Sequence, residues 1–185
     1  MAQLNHSTRT TIRPYRTTRG SFRLEYFQPS TTVSSGVIAY GDVVQFDVNV
    51  ATANHRIVKA STMANVPNVI STALIGIAAE ADASSVSATS PNPGLLGVYV
   101  AEKDAEFVFP TKLAGTAHLS SLLGTRRAVG YDSTNSMFYL DVGNSTAGDA
   151  TVIVTGLVSD EGTTNGLVRG RFISTNVSRL ISGAF

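Results

Sequence analysis

The sequence of 185 residues contains no cysteine and no tryptophan. Without cysteine, the chain cannot form a disulfide scaffold, a cysteine-ligated zinc site, an iron–sulfur cluster or a thiol nucleophile. No run of 18 apolar residues occurs, so we expect no membrane-spanning helix and no membrane partner. The first residues also lack the apolar stretch that a signal peptide requires, and we expect none.

Charged residues are scarce as well, at 15% of the chain, against about 25% in typical soluble domains. The hydrophobic fraction of 43% comes largely from small and β-branched residues. This composition argues against disorder and against a helix bundle. The length suits one domain, or one domain with an arm, that can bury a real core.

The net charge of +1 is unevenly distributed. Five arginines and one glutamate give residues 1–27 a net charge of +4, while nine bases and twelve acids give residues 28–185 a net charge of −3. The sequence therefore predicts a basic N-terminus on a mildly acidic body. All five bases of the N-terminus are arginine, whose planar guanidinium suits carboxylate and phosphate contacts.

Residues 1–20, which we call the N-terminal arm, have almost no apolar periodicity. Pro14 removes a backbone donor and blocks a helix there. Such a segment cannot bury enough apolar surface to become ordered alone. We therefore expect an extended arm that becomes ordered on a partner, the alternative being a frayed and solvated terminus.

The clearest secondary-structure signal is a strict apolar–polar alternation over Val44–Val50. A period of two predicts a half-buried strand, and Gly41-Asp42 predicts a turn before it. Arg56–Ala60 is the expected hairpin partner of this strand.

Further strands are predicted by β-branched or alternating runs between turn residues. They cover Phe22–Phe27, Ile75–Ala79, Gly97–Ala101, Ala105–Phe109, Met137–Val142, Thr151–Val158 and Leu167–Ile173. Thr163–Gly166 contains Asn-Gly and predicts a hairpin loop. Leucines at helical spacing predict a helix over Lys112–Leu123, ended by Gly124. The fold class is mainly β, a small barrel or sandwich with at most one or two short helices.

The sequence shows no constellation that predicts catalysis. Its histidines are far apart without metal-ligand spacing, and its clustered acids fall in predicted turns. No nucleophile elbow, Walker loop or dinucleotide fingerprint is present, so we expect no enzyme, metal or cofactor. An enzyme or sugar-binding β-domain is a further alternative, and it would need two converging acids beside a sugar-sized cleft. The residues considered are His6, His55, His118, Glu102, Asp104, Glu106, Asp160 and Glu161.

Arg126, Arg127, Arg169 and Arg171 could form a basic patch on the body. Arg169 and Arg171 share one face of the last predicted strand, opposite Val168, Gly170 and Phe172. The simpler interpretation, which we favour, is a solvated barrel exterior. No exposed aromatics alternate with these bases, as they would on a platform for single-stranded nucleic acid.

Several segments together resemble the tailed-phage head decoration proteins, also called capsid cement proteins. Gly41–Val44, Arg56–Ala60 and Leu74–Glu80 are similar to the family's opening, a Gly-Asp turn, a strand and an Ile-Gly-Ile-Ala strand. Val98–Val100 with Ala105–Phe107 resemble its next hairpin. Gly130–Asp132, Phe138–Asp141 and Asn165–Val168 resemble its last barrel strands. The resemblance covers roughly residues 36–173 and contains no catalytic signature.

The resemblance implies a small β-barrel or β-tulip that binds the outside of an assembled phage head. Such proteins often form trimers that hold neighbouring major capsid subunits together. We therefore expect a virion capsid-surface protein, assembled in the host cytoplasm, with the major capsid protein and its own copies as partners. The expected divisions are an arm and first strand at 1–35, a barrel body at 36–175 and a tail at 176–185.

We expect the arm to lie along capsid subunits through arginines that meet acidic groups and aromatics that anchor it. The candidate capsid-binding residues are Arg9, Arg13, Tyr15, Arg16, Arg19, Phe22, Arg23, Tyr26 and Phe27. The alternative is a jelly-roll capsid shell protein whose basic arm contacts packaged nucleic acid. A charge of +4 is weak for that task, so we expect no direct nucleic-acid binding.

Overall fold

Eleven short strands form the described part of the chain, with a single turn of 3-10 helix at Leu119–Leu122 among them. The computed structural model describes residues 11–18, 20–29, 38–46, 56–60, 74–80, 94–102, 104–112, 119–143, 145, 151–161, 163 and 165–173. The strands are β1 (Arg13–Arg16), β2 (Leu24–Phe27), β3 (Val43–Phe46), β4 (Ile57–Lys59), β5 (Leu74–Ala78), β6 (Leu96–Val100), β7 (Glu106–Lys112), β8 (Arg126–Asp132), β9 (Met137–Asp141), β10 (Val152–Leu157) and β11 (Leu167–Phe172).

The first sheet closes into a five-stranded barrel. Its order is β7-β11-β10-β8-β9, and a parallel pairing of β9 with β7 completes the circle. The long strand β7 shares one edge between two partners, since Thr111 and Lys112 pair with β9 whereas residues 106–108 pair with β1. The prediction of a mainly β fold with a barrel is confirmed.

The second sheet has the order β2-β6-β5-β3-β4 and is antiparallel throughout. Its two end strands approach each other, because Pro29 forms a parallel bridge with Ile57 and the Ile57 N–H donates to the Gln28 carbonyl at 3.0 Å. The predicted pairing of Arg56–Ala60 with the strand after the Gly-Asp turn is confirmed as the β3–β4 pair. Residues 47–50 of that predicted strand lie outside the described residues.

One hydrophobic core joins the two sheets. Val43, Leu74 and Ile77 of the second sheet belong to the same buried cluster as the phenylalanines of the barrel. Phe107, Phe109 and Phe172 pack edge to face, with ring centroids 5.6–6.5 Å apart. Burying each ring stabilises the fold by roughly 1.5–3 kcal/mol.

The predicted Gly-Asp turn lies directly under the residues that precede β1. Gly41 has a φ of +83°, and a Cβ there would lie 2.5 Å from Thr11 Cβ and 2.7 Å from the Ile12 carbonyl oxygen. Only glycine fits both the left-handed backbone and the close approach. The turn thereby supports Ile12, which is fully buried in the shared core.

The hairpin that the resemblance implies between Val98–Val100 and Ala105–Phe107 is wrong. Both segments are strands, but β6 pairs with β2 and β5 in the second sheet, whereas β7 belongs to the barrel. A tight turn, in which the Ala105 N–H donates to the Glu102 carbonyl at 3.1 Å, carries the chain from one sheet to the other. A short polar turn can connect two strands of one hairpin or two strands in different sheets. The local sequence therefore does not show which of these connections forms.

The predicted helix over Lys112–Leu123 is wrong at its start, because Lys112 ends β7. Its last turn is the 3-10 helix Leu119–Leu122, and residues 113–118 lie outside the described residues. The predicted terminating glycine is confirmed, since Gly124 has a φ of +74°. Nowhere in the described ranges is a helix long and apolar enough to cross a membrane.

The N-terminal segment enters the fold earlier than the sequence indicates. Both β1 and β2 lie within the predicted division 1–35, yet each pairs with a strand of the predicted body, β1 with β7 and β2 with β6. Residues 1–10 and the predicted tail 176–185 fall outside the described ranges. Where the arm is described, its partner is the chain's own barrel.

Candidate interaction surface

Strand β1 runs along the outside of the barrel at the edge of β7. The register sets Arg13 opposite Val108, and Val108 opposite Arg169, so these three side chains share the outer face. Pro14 lies opposite Phe107, whose side chain faces the core. β1 is the end strand of its sheet, a position that tolerates a proline without a backbone N–H.

A second row of outer residues lies on the neighbouring strands. Arg126 of β8 is opposite Ile153 of β10, which is opposite Arg171 of β11. The alternate residues of β11, Gly170 and Phe172, lie on the opposite, inner face of the strand, as predicted. We call the combined outer surface the arginine face. It consists of Arg13, Tyr15, Arg16, Glu106, Val108, Arg126, Ile153, Arg169 and Arg171.

Tyr15 lies on β1, between Arg16 and Arg169 of the arginine face. Tyr15 is 48% exposed, and its ring lies beneath two guanidinium groups, with Arg169 Cζ at 5.0 Å and Arg16 Cζ at 5.9 Å from the centroid. Arg169 also donates from Nη1 to the Tyr15 hydroxyl at 3.4 Å. Such cation–π contacts contribute about 0.5–1 kcal/mol each at exposed sites. Tyr15 thereby links the N-terminal strand to β11.

Arg169 is held in place from below by a glycine. Gly156 faces it across the β10–β11 pair, where β10 has a bulge between Val154 and Gly156. A Cβ on Gly156 would lie 2.1 Å from Arg169 Nη2, so the guanidinium occupies the space that a side chain would fill. The bulge and the missing side chain together lay Arg169 flat toward Tyr15.

Arg16 and Glu106 form the ion pair of the arginine face, with Nε 2.7 Å from Oε2. Partial burial would raise the pKa of Glu106, but the hydrogen bond from Arg16 and the charges of Arg16 and Arg169 outweigh it and lower that pKa. The ion pair is half open to water, since the Arg16 side chain is 63% exposed. The face therefore already binds one carboxylate, supplied by the chain itself.

We expect Glu106→Gln to reduce the free energy of unfolding by about 1 kcal/mol or less at pH 7, because the exposed Arg16 keeps the ion pair in contact with water. Because the folded-state pKa of Glu106 is lowered, its contribution is present above the unfolded-state value near 4.5 and disappears as the pH falls through the folded-state pKa. Urea denaturation of both proteins at pH 7 and pH 3 measures the difference. A difference that does not become smaller as the pH falls from 7 to 3 would contradict this assignment.

The acidic character of the chain appears at the β8–β9 hairpin. Asp132, at the end of β8, accepts a hydrogen bond from Lys112 Nζ at 2.8 Å and another from Asn135 Nδ2 at 2.9 Å. These contacts lower the pKa of Asp132 to about 2. Asp141 lies near this pair on β9, so the described barrel surface carries two regions of different charge.

The predicted capsid-binding residues divide into three groups. Arg13, Tyr15 and Arg16 come together on the arginine face, whereas Arg9 and Arg19 lie outside the described residues. The others belong to the body of the fold. Phe22 packs on Tyr99 and Phe107, Phe27 packs on Phe46, Arg23 pairs with Glu25 and Glu102, and Tyr26 lies in β2 opposite Gly97.

The segment after β1 is likewise held by the body. The hydroxyl groups of Thr17 and Thr18 both donate to Asp104 Oδ2, at 3.1 and 2.5 Å. Aromatic and polar contacts within the chain thus hold described residues between Ile12 and Phe27 that the sequence predicts to bind a partner. The sequence predicts Arg126, Arg169 and Arg171 as a separate patch, but they lie on the arginine face together with Arg13, Tyr15 and Arg16.

A cavity of about 390 Å³ lies beside the Gly-Asp turn, between Thr11, Asp42 and the Ser136–Phe138 segment. Next to it, Lys59 Nζ forms a 2.8 Å ion pair with Asp42 Oδ2, and both side chains are buried. The Ala39 N–H also donates to this carboxylate oxygen at 2.8 Å. Because the Asp42 carboxylate already binds Lys59 and the Ala39 N–H, we interpret this ion pair as part of the structure of the turn.

Across the described ranges, no group of three or more histidine, aspartate and glutamate residues is arranged to hold a metal ion. No family of known proteins, no curated protein and no solved structure matches the chain.

Proposed function

We propose that this chain is a tailed-phage capsid decoration protein. It binds the outer surface of the assembled head, as a homotrimer, and stabilises contacts between major capsid subunits. The observation that carries this proposal is the arginine face. β1 is held on the barrel so that arm and body arginines form one exposed surface around Tyr15.

The composition of this face supports a binding role. Arginine and tyrosine dominate the energetic centres of protein interfaces. The face is also organised in advance, because Arg169 rests on Gly156 and stacks on Tyr15 before any partner arrives. Ordering these side chains beforehand lowers the entropy cost of binding.

A barrel with a rigid binding face also suits assembly on a shell of repeated subunits. Each single contact can be weak, because three linked copies bind with far higher avidity than one when their spacing matches the partner sites. The resemblance over residues 36–173 and the confirmed barrel point in the same direction.

Co-sedimentation with mature heads and with unexpanded procapsids of the encoding phage tests the proposal. We expect the wild-type chain to pellet with heads, and Tyr15→Ser to weaken binding about 30-fold, the loss of a hot-spot contact of about 2 kcal/mol. Tyr40→Ser is the matched control, since Tyr40 is similarly exposed, at 42%, but lies outside the arginine face. Wild-type protein that stays in the supernatant with both particles would overturn the proposal.

A further inference from the structure

The arginines of the arginine face fall into two sets by their contacts. Arg16 is bound to Glu106 and Arg169 is stacked on Tyr15. In contrast, Arg13, Arg126 and Arg171 are exposed and form no ion pair with any described residue. Three cations on one rigid face are thus available to an external anion.

We infer that Arg13, Arg126 and Arg171 bind carboxylate groups on an acidic protein surface, with Tyr15 and Ile153 packing between them. This inference rests on the proposed function in taking that surface to be the capsid. It goes further by naming the chemistry of the partner and by assigning the body residues Arg126 and Arg171 to the contact.

The spacing of the second row defines what can bind there. Arg126 and Arg171 are on strands separated by β10, so their backbones are about 10 Å apart. Ile153 lies between them and is only partly exposed. The row therefore offers two guanidinium groups around an apolar centre, which suits two carboxylates flanking an apolar side chain.

The composition of the face favours carboxylate over phosphate. The Arg16–Glu106 ion pair takes one cation out of the face, so the positive charge is not the continuous track that a phosphate backbone follows, whereas acids on a protein surface need to meet only Arg13, Arg126 and Arg171. Ile153, which is partly exposed, interrupts the positive charge with apolar surface that a nucleic-acid backbone cannot use. The Arg16–Glu106 pair shows that a carboxylate fits a guanidinium of this face at 2.7 Å.

The test uses the purified full chain and two separate polyanions, poly-L-glutamate and a 20-nucleotide DNA duplex, followed by fluorescence anisotropy at low and moderate salt. We expect Arg126→Ala/Arg171→Ala to weaken poly-L-glutamate binding about tenfold, as two charge-assisted contacts of about 0.7 kcal/mol each would give. The matched control, Ser133→Glu/Thr134→Glu, changes the net charge equally in the exposed β8–β9 turn and is expected to stay within twofold of wild type.

Unchanged poly-L-glutamate affinity in the arginine variant would overturn the inference. So would wild-type protein that binds the DNA but not poly-L-glutamate, since the partner chemistry would then be phosphate. Co-sedimentation of the same variants with heads separates the two proposals. If the arginine variant binds heads like wild type, the inference fails and the proposed function stands. If wild type binds poly-L-glutamate through this face but no head, the proposed function fails.

Discussion

Replacing Asp42 with alanine is expected to lower the free energy of unfolding by about 3–5 kcal/mol, because it leaves a buried ammonium group without its counter-charge. Lys59 and Asp42 are 7% and 5% exposed, and their charged atoms are 2.8 Å apart. The same carboxylate oxygen accepts the Ala39 N–H, so the turn before β3 would lose a backbone partner as well. The Tyr131 ring, 4.8 Å from Lys59 Nζ, compensates only in part.

Urea denaturation of wild type, Asp42→Ala and Asp42→Leu/Lys59→Met measures this effect. The double variant removes both charges, and we expect it to recover most of the loss, since a buried ion pair can often be exchanged for apolar residues at little cost. A single variant within about 1 kcal/mol of wild type would mean that water reaches Lys59, and would contradict a buried pair.

Replacing Ile12 with alanine is expected to cost about 2–5 kcal/mol, the usual range for emptying a fully buried isoleucine site. Ile12 is completely buried in the core that joins the two sheets, and it directly precedes β1. The Ile12 carbonyl oxygen lies against the Gly41 turn, so loss of the side chain from the core also loosens the segment that packs on this turn. The arginine face therefore depends on this side chain, although the side chain itself is not on the face.

Thermal and urea unfolding of Ile12→Ala and Ile12→Val test the role of this residue. The valine variant should lose only about 0.5–1.5 kcal/mol, because it removes one methylene group. Thr18→Ala serves as the control within the same segment, since it removes only an exposed hydroxyl contact with Asp104. If Ile12→Ala were as stable as the control, the segment would be a free arm, as the sequence alone indicates.

Local patterns predicted much of the fold correctly. The alternation beginning at Val44, the β-branched run at Thr151–Val158 and the Asn-Gly loop before β11 each correspond to observed strands or turns. Asn165 has a φ of +52°, the conformation for which asparagine is suited in such a loop. These features depend on neighbours in sequence, and sequence therefore reveals them.

Pairing between distant segments was not predictable in the same way. The Arg13–Arg16 segment has little apolar content and a proline, yet it forms a strand because β7 offers an edge that β9 leaves uncovered. Lys59 gave no sign of burial either, since its partner Asp42 comes from the turn before the paired strand. Because the pairing of β1 with β7 is not visible in the sequence, the arm arginines and the body arginines Arg126, Arg169 and Arg171 were predicted as two separate surfaces.

Some of the residues predicted to anchor a partner also contact the chain itself. Phe22 and Phe27 have the composition of interface residues, but rings of this size also fill cores, and both pack within the chain. The β11 alternation already places Arg169 and Arg171 on one outward face. Only the register of β1, β7 and β11 connects that face to Tyr15.

Cryo-electron microscopy of heads incubated with the purified chain tests whether the arginine face binds the capsid. We expect barrel-shaped density on the outer shell, grouped in threes, with β1 and the arginine face turned toward the capsid subunits. Heads without added density, or barrels bound with Tyr15 and Arg171 facing solvent, would contradict it.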